Sequence, residues 1–424
     1  MNPIHPELLR LAGMVLADVL NQPGPADAKL GRFFRDNRKL GVKDRAFIAE
    51  AVYGVLRRKS LLAYLTEGED PRKLLLAWLL RVQGMSLREL EGSLNRQQKE
   101  WAQAIKAKST ADLDPAMQAE LPPWLWQRLV EQYGESEALA IARSMQQPAA
   151  LDLRVNLVKA TREEVMQRLA SENADAEPTS LSPTGIRMPQ KMNIGRHPLF
   201  TEGKIEVQDE GSQLLAQLVA PRRGEMVADF CAGAGGKSLA MGALMRNTGR
   251  LYAFDVSEKR LHNLSARLKR SGLSNLHSQL ISGENDSKLK RLNGKFDRVL
   301  VDAPCSGLGT LRRNPDLKWR QTPEDLNELT AKQTRIVAAA ATLLKPGGRL
   351  VYATCSVLPE ENDAIVDAFL AAHAGFTERS VASLLADAHI LLDTGTRLRL
   401  RPDVHGCDGF FAAVLERKPS GSEL

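Results

Sequence analysis

Two cysteines stand where a chain could carry covalent chemistry. Cys305 lies in Asp302-Ala303-Pro304-Cys305-Ser306-Gly307, directly after the apolar run 298–301, and Cys355 lies in Thr354-Cys355-Ser356, directly after the run 349–353. A buried cysteine is ordinarily a small, inert hydrophobe. Two of them at the carboxyl ends of successive strands, on the rim where doubly wound folds bind ligands, point instead to reactive thiols. The reaction that needs such thiols is methylation at C5 of a pyrimidine, a carbon too weakly nucleophilic to attack a methylsulfonium unaided. A thiolate adding at C6 leaves an enamine whose C5 attacks the methyl group; loss of the C5 proton and elimination of the thiolate then restore aromaticity. Asp302 can protonate or hydrogen-bond N3 of a cytosine, and Lys237 can orient the base. Attack on an exocyclic amine is disfavoured, because it calls for Pro-Pro followed by a stacking aromatic ring, and Cys305 occupies the ring's position.

A methyl donor needs its own loop, and one precedes these motifs. Asp229-Phe230 runs into Cys231-Ala232-Gly233-Ala234-Gly235-Gly236-Lys237-Ser238, after which Leu239, Ala240, Ala243 and Leu244 resume a helical spacing. Small residues at a strand end let backbone N–H groups approach a ligand, and the following helix N-terminus favours its negative end. This is not a P-loop, since Cys231 sits where the first glycine belongs, nor does it match G-x-G-x-x-G. Asp255 closes the next strand, at the place where an α/β nucleotide site hydrogen-bonds ribose hydroxyls. Glu284, beyond the third strand, is a candidate for the adenine side, with Asp286 as its competitor. NAD and S-adenosylmethionine both satisfy this arrangement, and an acid that merely caps the following turn also accounts for Asp255.

These loops need a sheet to carry them. Apolar runs at 226–230, 251–254, 279–281, 298–301 and 349–353 alternate with helical segments, which predicts an α/β, Rossmann-like parallel sheet with helices on both faces. The apolar tail 409–415 predicts a final edge strand. Upstream, Leu8, Ala12, Val15, Leu16 and Val19, then Phe47, Ile48, Val52, Val55 and Leu56, recur at helical spacing. The second stripe ends in Arg57, Arg58 and Lys59, a cluster suited to a phosphate contact or to a solvated helix end. Between the two patterns, Leu151, Leu153, Val155 and Leu157 alternate as a strand, and Thr161 to Glu164 has the capping-box form of a helix start. The chain is therefore divided into an all-α segment at 1–147, a small α/β connector at 148–204 and the α/β domain at 205–424.

Composition sets the outer limits. The 424 residues are 43% hydrophobic and 26% charged, the balance of a soluble folded chain rather than a disordered one. Lys and Arg number 58 against 51 acids, a formal charge of +7 that suits a polyanionic partner without requiring one. The four cysteines include no C-x-x-C pair, which excludes a disulfide framework or zinc finger; no metal is expected, and a reducing compartment fits. No signal-like segment opens the chain, and the apolar run 336–344 falls far short of the ~20 residues of a spanning helix, so a cytoplasmic protein without membrane association is expected.

The three motifs, in this order and spacing, resemble the signatures of the Sun/Fmu (RsmB-type) RNA cytosine-C5 methyltransferases. Gln208-Asp209-Glu210-Gly211-Ser212, Arg312-Arg313-Asn314-Pro315-Asp316, Leu358-Pro359-Glu360-Glu361-Asn362 and Asp408-Gly409-Phe410-Phe411 add matches, so that the resemblance covers about 207–415. Asp44-Arg45 and Tyr53-Gly54-Val55-Leu56-Arg57 are similar to the NusB-like helical RNA-binding domain of the ribosomal members. The resemblance implies S-adenosylmethionine as methyl donor and structured RNA, most often ribosomal, as partner; a monomer is expected. It further implies that Cys355 is the nucleophile and that Cys305 assists release of the methylated product. By the same correspondence Asp302 and Lys237 contact the cytosine, while Cys231, Ala232, Gly233, Ala234, Gly235, Gly236, Lys237, Asp255, Glu284 and Asp302 hold the cofactor.

Two positions depart from the family pattern. Gly233-Ala234 replaces Ala-Pro, giving a less rigid turn with a consequence for cofactor affinity, and Glu284 stands where the family has aspartate. The competing expectation is a non-catalytic RNA-binding or ribosome-assembly factor on a relict fold, which would not bind S-adenosylmethionine. An NAD-dependent dehydrogenase gives no reason for the paired cysteines. Cys407 has no assigned role.

Overall fold

The computed structural model describes residues 4–111, 113–189 and 192–419. The chain forms two compact units: Met1–Pro148 together with Thr310–Thr322, and Ala149–Gly309 together with Pro323–Leu424.

The first unit is helical. Pro6–Asn21, Val42–Arg57, Lys59–Thr66 and Pro71–Arg81 bury the periodic positions seen in the sequence, with Leu16, Ile48, Val52, Val55, Leu62, Leu74, Trp78 and Leu79 almost wholly enclosed. Gly54 is required by this packing, because a Cβ there would meet the Trp78 indole at 2.3 Å. Into the same unit folds Thr310–Thr322, a segment cut from the middle of the α/β domain's sequence. Trp319 Nε1 and Lys318 Nζ donate to the last carbonyls of Val42–Arg57, Leu56 O at 2.8 Å and Arg57 O at 3.2 Å. Arg57 Nη2 donates to Arg312 O at 3.2 Å, and Arg58 Nη1 to Gln146 Oε1 at 2.7 Å. The Arg57-Arg58-Lys59 cluster is thus not a freely solvated helix end. Its two arginines are half-buried and spent on this internal fastening, and Lys59 pairs with Glu69 at 2.8 Å.

The second unit holds two sheets. The smaller is antiparallel, in the order β2-β3-β1-β4, built from β1 (Leu151–Val155), β2 (Glu177–Pro178), β3 (Gly185–Met188) and β4 (Ile205–Val207). The expected capping box is present, Thr161 and Glu164 exchanging bonds at the start of Arg162–Ser171. β4 pairs with β1, so the small sheet extends past the 204/205 boundary drawn from the sequence.

The larger sheet is Rossmann-like. Its strands are β5 (Met226–Asp229), β6 (Arg250–Asp255), β7 (Leu276–Leu280), β8 (Phe296–Asp302), β9 (Leu344–Thr354), β10 (Phe376–Arg379), β11 (Leu398–Leu400) and β12 (Phe410–Arg417). The order is β10-β12-β9-β8-β5-β6-β7, with β5 to β9 parallel and β12 antiparallel to both β9 and β10. The tail strand β12 is therefore interior, not the edge strand expected. Its first six residues are all buried, which demands a partner on each side, and a continuous apolar run is what a strand covered on both faces shows. Glu210–Val219, Gly236–Leu244 and Glu258–Ser271 cover one face through Leu214, Leu239 and Leu264. Pro323–Ala341 and Asp363–Ala372 cover the other through Ile336, Val337, Ile365 and Phe369. The strand order reverses between β5 and β8, and a crevice at such a switch point is where open α/β sheets bind ligands.

Candidate active site

The loop after β5 is shaped by glycine and pinned by acids. Gly233 and Gly235 both adopt left-handed conformations, φ 57° and 79°, and at Gly235 a Cβ would meet Leu264 Cδ1 at 2.1 Å. Asp255 at the tip of β6 accepts from Gly233 N at 2.8 Å and Ser257 N at 2.7 Å, so it ties the loop to the neighbouring strand end. Two arginines that the sequence did not single out hold the loop from behind. Arg154 Nη1 donates to Gly236 O at 2.5 Å, and Arg267 Nη1 to Ala234 O at 2.8 Å, while Arg267 also pairs with Glu206 at 2.9 Å. Burial pulls the Arg154 guanidinium down to about 10 against the pull of Glu206.

Asp229 ends β5 wholly buried. Ser238 Oγ donates to its Oδ2 at 2.6 Å, while Oδ1 has no partner among the described residues. Burial pushes its carboxyl up to about 7, the Ser238 bond opposing and the nearby Asp302 charge adding. A buried acceptor left free beside a left-handed glycine turn fits a ligand that brings a donor or a positive charge.

Across the crevice, Lys237 Nζ and Asp302 Oδ2 pair at 2.7 Å, and Lys237 also sits over the Phe410 ring at 5.8 Å. Burial works against the lysine's charge, but the Asp302 charge and hydrogen bond outweigh it and raise its pKa. Phe410 reaches this position because Gly211 yields space: a Cβ at Gly211 would meet the ring at 2.8 Å.

The two cysteines expected at the rim meet there. Cys305 Sγ and Cys355 Sγ lie 3.4 Å apart, each half-buried. Their turns close on each other through glycine, Gly309 N donating to Cys355 O at 2.8 Å and Gly409 N to Gly309 O at 2.8 Å. Any Cβ at Gly309 would strike Gly409 O at 2.2 Å. The hydrogen bond with Cys355, reinforced by burial, holds the Cys305 thiol well above its usual pKa.

The two candidates for the adenine side are both engaged by groups of the chain. Glu284 Oε1 accepts from Arg335 at 2.8 Å, which lowers its pKa. Asp286 caps the turn Ser287–Lys290, accepting from Ser282 N at 2.7 Å and Lys288 N at 2.8 Å. Burial raises the thiols of Cys231, which opens the loop after β5, and of Cys407, which lies in the core under β12.

Comparison with known proteins fits this geometry. Residues 216–416 match the model of the 16S rRNA methyltransferase RsmB/F family, and residues 121–195 match the ferredoxin-like domain of RsmF/B-like methyltransferases. A probable ribosomal RNA small subunit methyltransferase B of Synechocystis is 32% identical, over 96% of this chain and 99% of its own. The chain belongs to the RsmB/F methyltransferase family. A probable counterpart in Bacillus subtilis is 30% identical over 90% of this chain and 92% of its own. Among solved structures, that titled PH0851 superposes with a TM-score of 0.79 at 25% identity, covering 98% of this chain and 99% of that one. A methyltransferase homolog from Pyrococcus horikoshii gives 0.62 at 30% identity over 73% of this chain and all of its own, 100%. S-adenosylmethionine is accordingly the cofactor. Among the described residues no helix is long and apolar enough to cross a membrane.

Proposed function

We propose that this RsmB/F family member methylates C5 of a cytosine in ribosomal RNA through a covalent adduct between Cys355 and C6. The observation that carries this reading is the contact of two thiols, 3.4 Å apart, on the rim of an S-adenosylmethionine fold. Chemistry at an exocyclic amine has no use for either sulfur, whereas C5 chemistry uses both.

Bound at the 231–237 loop, with Asp229 and Asp255 beside it, S-adenosylmethionine supplies a methyl group on positively charged sulfur. The residues of the chain do the rest. Cys355 gives its proton to solvent and adds to C6 as the thiolate, and electron density moves to C5, which thereby becomes nucleophilic. Asp302, positioned by Lys237, meets the N3 edge of the base and passes a proton to N3 as negative charge develops there. After C5 is alkylated its proton passes to water at the open rim, the bond from C6 to Cys355 breaks with the electron pair returning to sulfur, and the aromatic ring is restored. Cys305, kept protonated against Cys355, assists that release. The target must leave its stack to reach the crevice, at a cost of a few kcal/mol that is least for an unpaired base.

The helical unit supplies RNA contacts. Arg32, Arg35, Arg38, Lys39 and Lys43 are all exposed within one short stretch, beside the edge-on pair Phe33 and Phe34. The direct experiment incubates the protein with a small-subunit rRNA transcript and methyl-labelled S-adenosylmethionine, then digests the RNA to nucleosides. Label eluting with 5-methylcytidine is expected; label on any other nucleoside overturns the reading.

A further inference from the structure

Beneath the two cysteines lies a carboxylate that the reaction above does not use. Glu361 is fully buried, in the turn between β9 and Asp363–Ala372. Its Oε1 accepts from Ser306 N at 2.8 Å and from Gln333 Nε2 at 3.0 Å. Its Oε2 accepts from Ser306 Oγ at 2.5 Å and from Ser356 Oγ. Ser306 follows Cys305, and Ser356 follows Cys355, so one carboxylate grips the residue after each cysteine. The two hydroxyls also face each other at 3.2 Å.

The grip is itself braced. Tyr352 OH donates to Glu361 O at 2.7 Å, and Gln333 Nε2 donates to Pro304 O at 3.0 Å, on the residue before Cys305. Asn362 Nδ2 donates to Ser356 O at 3.1 Å. A buried carboxylate is costly unless its lone pairs are satisfied, and these four donors satisfy it only while both turns stay where they are. The strands alone do not fix the thiols, because each cysteine lies beyond the last ladder pair of its strand, Asp302 with Ala353 for β8 and Thr354 with Phe411 for β9.

We propose that Glu361 is the positioning residue that holds the Cys305 and Cys355 turns in register, so that both sulfurs face one C5–C6 edge. It touches neither base nor cofactor and acts through Ser306 and Ser356. The proposal rests on the covalent reading for its purpose, though not for its geometry.

The test uses the full chain with S-adenosylmethionine and a small-subunit rRNA transcript containing 5-fluorocytidine, whose C5 fluorine blocks elimination and retains the adduct. Glu361→Gln replaces an acceptor oxygen by a donor and is expected to form adduct about 100-fold more slowly at saturating RNA, as misplacement of reacting groups by about 1 Å does. The half-saturating RNA concentration and the calorimetric affinity for S-adenosylmethionine are expected to stay unchanged, and the latter also reports folding. Should Glu361→Gln fail to bind cofactor, Ser356→Ala decides, with an expected slowing of about tenfold. A wild-type rate in the folded variant overturns the proposal.

A second arm needs no RNA. Diamide oxidises two adjacent thiols to a disulfide, each sulfur giving up one hydrogen and the reagent becoming the hydrazine, and intact mass reads the loss. Closure of Cys305 with Cys355 is expected to be about tenfold slower in either variant than in the wild type. If the wild type forms no RNA adduct, the covalent reading fails alone. Closure at an equal rate in wild type and variants overturns the registration by Glu361.

Discussion

The sulfurs of Cys305 and Cys355 touch at 3.4 Å although 50 residues separate them in the chain. Neighbouring strands bring them together: β8 and β9 pair in parallel up to Asp302 and Ala353, so the turns that follow leave the sheet side by side. Strands stand about 4.8 Å apart, and a disulfide would need about 2.05 Å, so the pair consists of two free thiols within reach of one ring.

The two thiols should fail differently when removed. Cys355→Ala loses the group that adds to C6, and turnover should vanish with cofactor affinity intact. Cys305→Ala keeps addition and methyl transfer but lacks the second thiol, so a protein–RNA species should persist on a denaturing gel. Loss of turnover in Cys305→Ala without any such band would remove its release role.

Asp229 predicts a pH dependence. Burial raises its carboxyl from 3.8 to about 7. An acid raised on folding leaves stability whole below its unfolded pKa and withdraws it as pH climbs to the folded one, so apo-protein stability should fall between about pH 4 and about pH 7 and level off above. Three units correspond to about 4 kcal/mol. Asp229→Asn should remove this slope in urea unfolding at a series of pH values. Cofactor binding should run the other way, strengthening as Asp229 ionises and releasing a proton near pH 7. Calorimetry in buffers of different ionisation enthalpy reads that proton, and equal heats in both would exclude the linkage.

The sequence exposed the chemistry better than its support. Cys305, Cys355 and Asp302 were legible because each sits at or just beyond a strand end, and apolar runs mark strand ends; Lys237 was legible because it lies in the first turn of the helix that follows the small-residue loop after β5. The role of Glu361 was not: its motif match was visible, but its partners Ser306 and Gln333 lie 55 and 28 residues away, and no local pattern reports such a bond. Arg154 was hidden for the same reason, its bond to Gly236 O joining β1 to a loop 82 residues on. The edge strand β10 was missed because an edge is polar: Phe-Thr-Glu-Arg alternates partly buried with exposed residues and carries no apolar run.

Arg267 should control cofactor affinity without touching cofactor. Its guanidinium, held by Glu206, fixes the Ala234 carbonyl and thus the direction of the loop's N–H groups. A charge-assisted bond of this kind contributes about 1.5–3 kcal/mol, so Arg267→Met should weaken S-adenosylmethionine binding by about tenfold or more. RNA affinity should not change. Calorimetric titration checks both, and an unaltered cofactor affinity would show that the turn holds itself.

The helical unit should govern salt dependence. Arg35, Arg38 and Lys39 are exposed, with Arg45 stacked over the neighbouring Phe34 ring at 5.5 Å. Each phosphate neutralised releases counterions, so log affinity falls with log salt by about 0.7–0.9 per contact. The triple variant Arg35→Ala, Arg38→Ala, Lys39→Ala should therefore lose about 2 units of slope in RNA binding. These side chains lie in the helical unit, so methylation at saturating RNA should proceed at the wild-type rate while the half-saturating concentration rises. A slope equal to that of the wild type, measured by filter binding across a salt series, would move the RNA-binding face elsewhere on the protein.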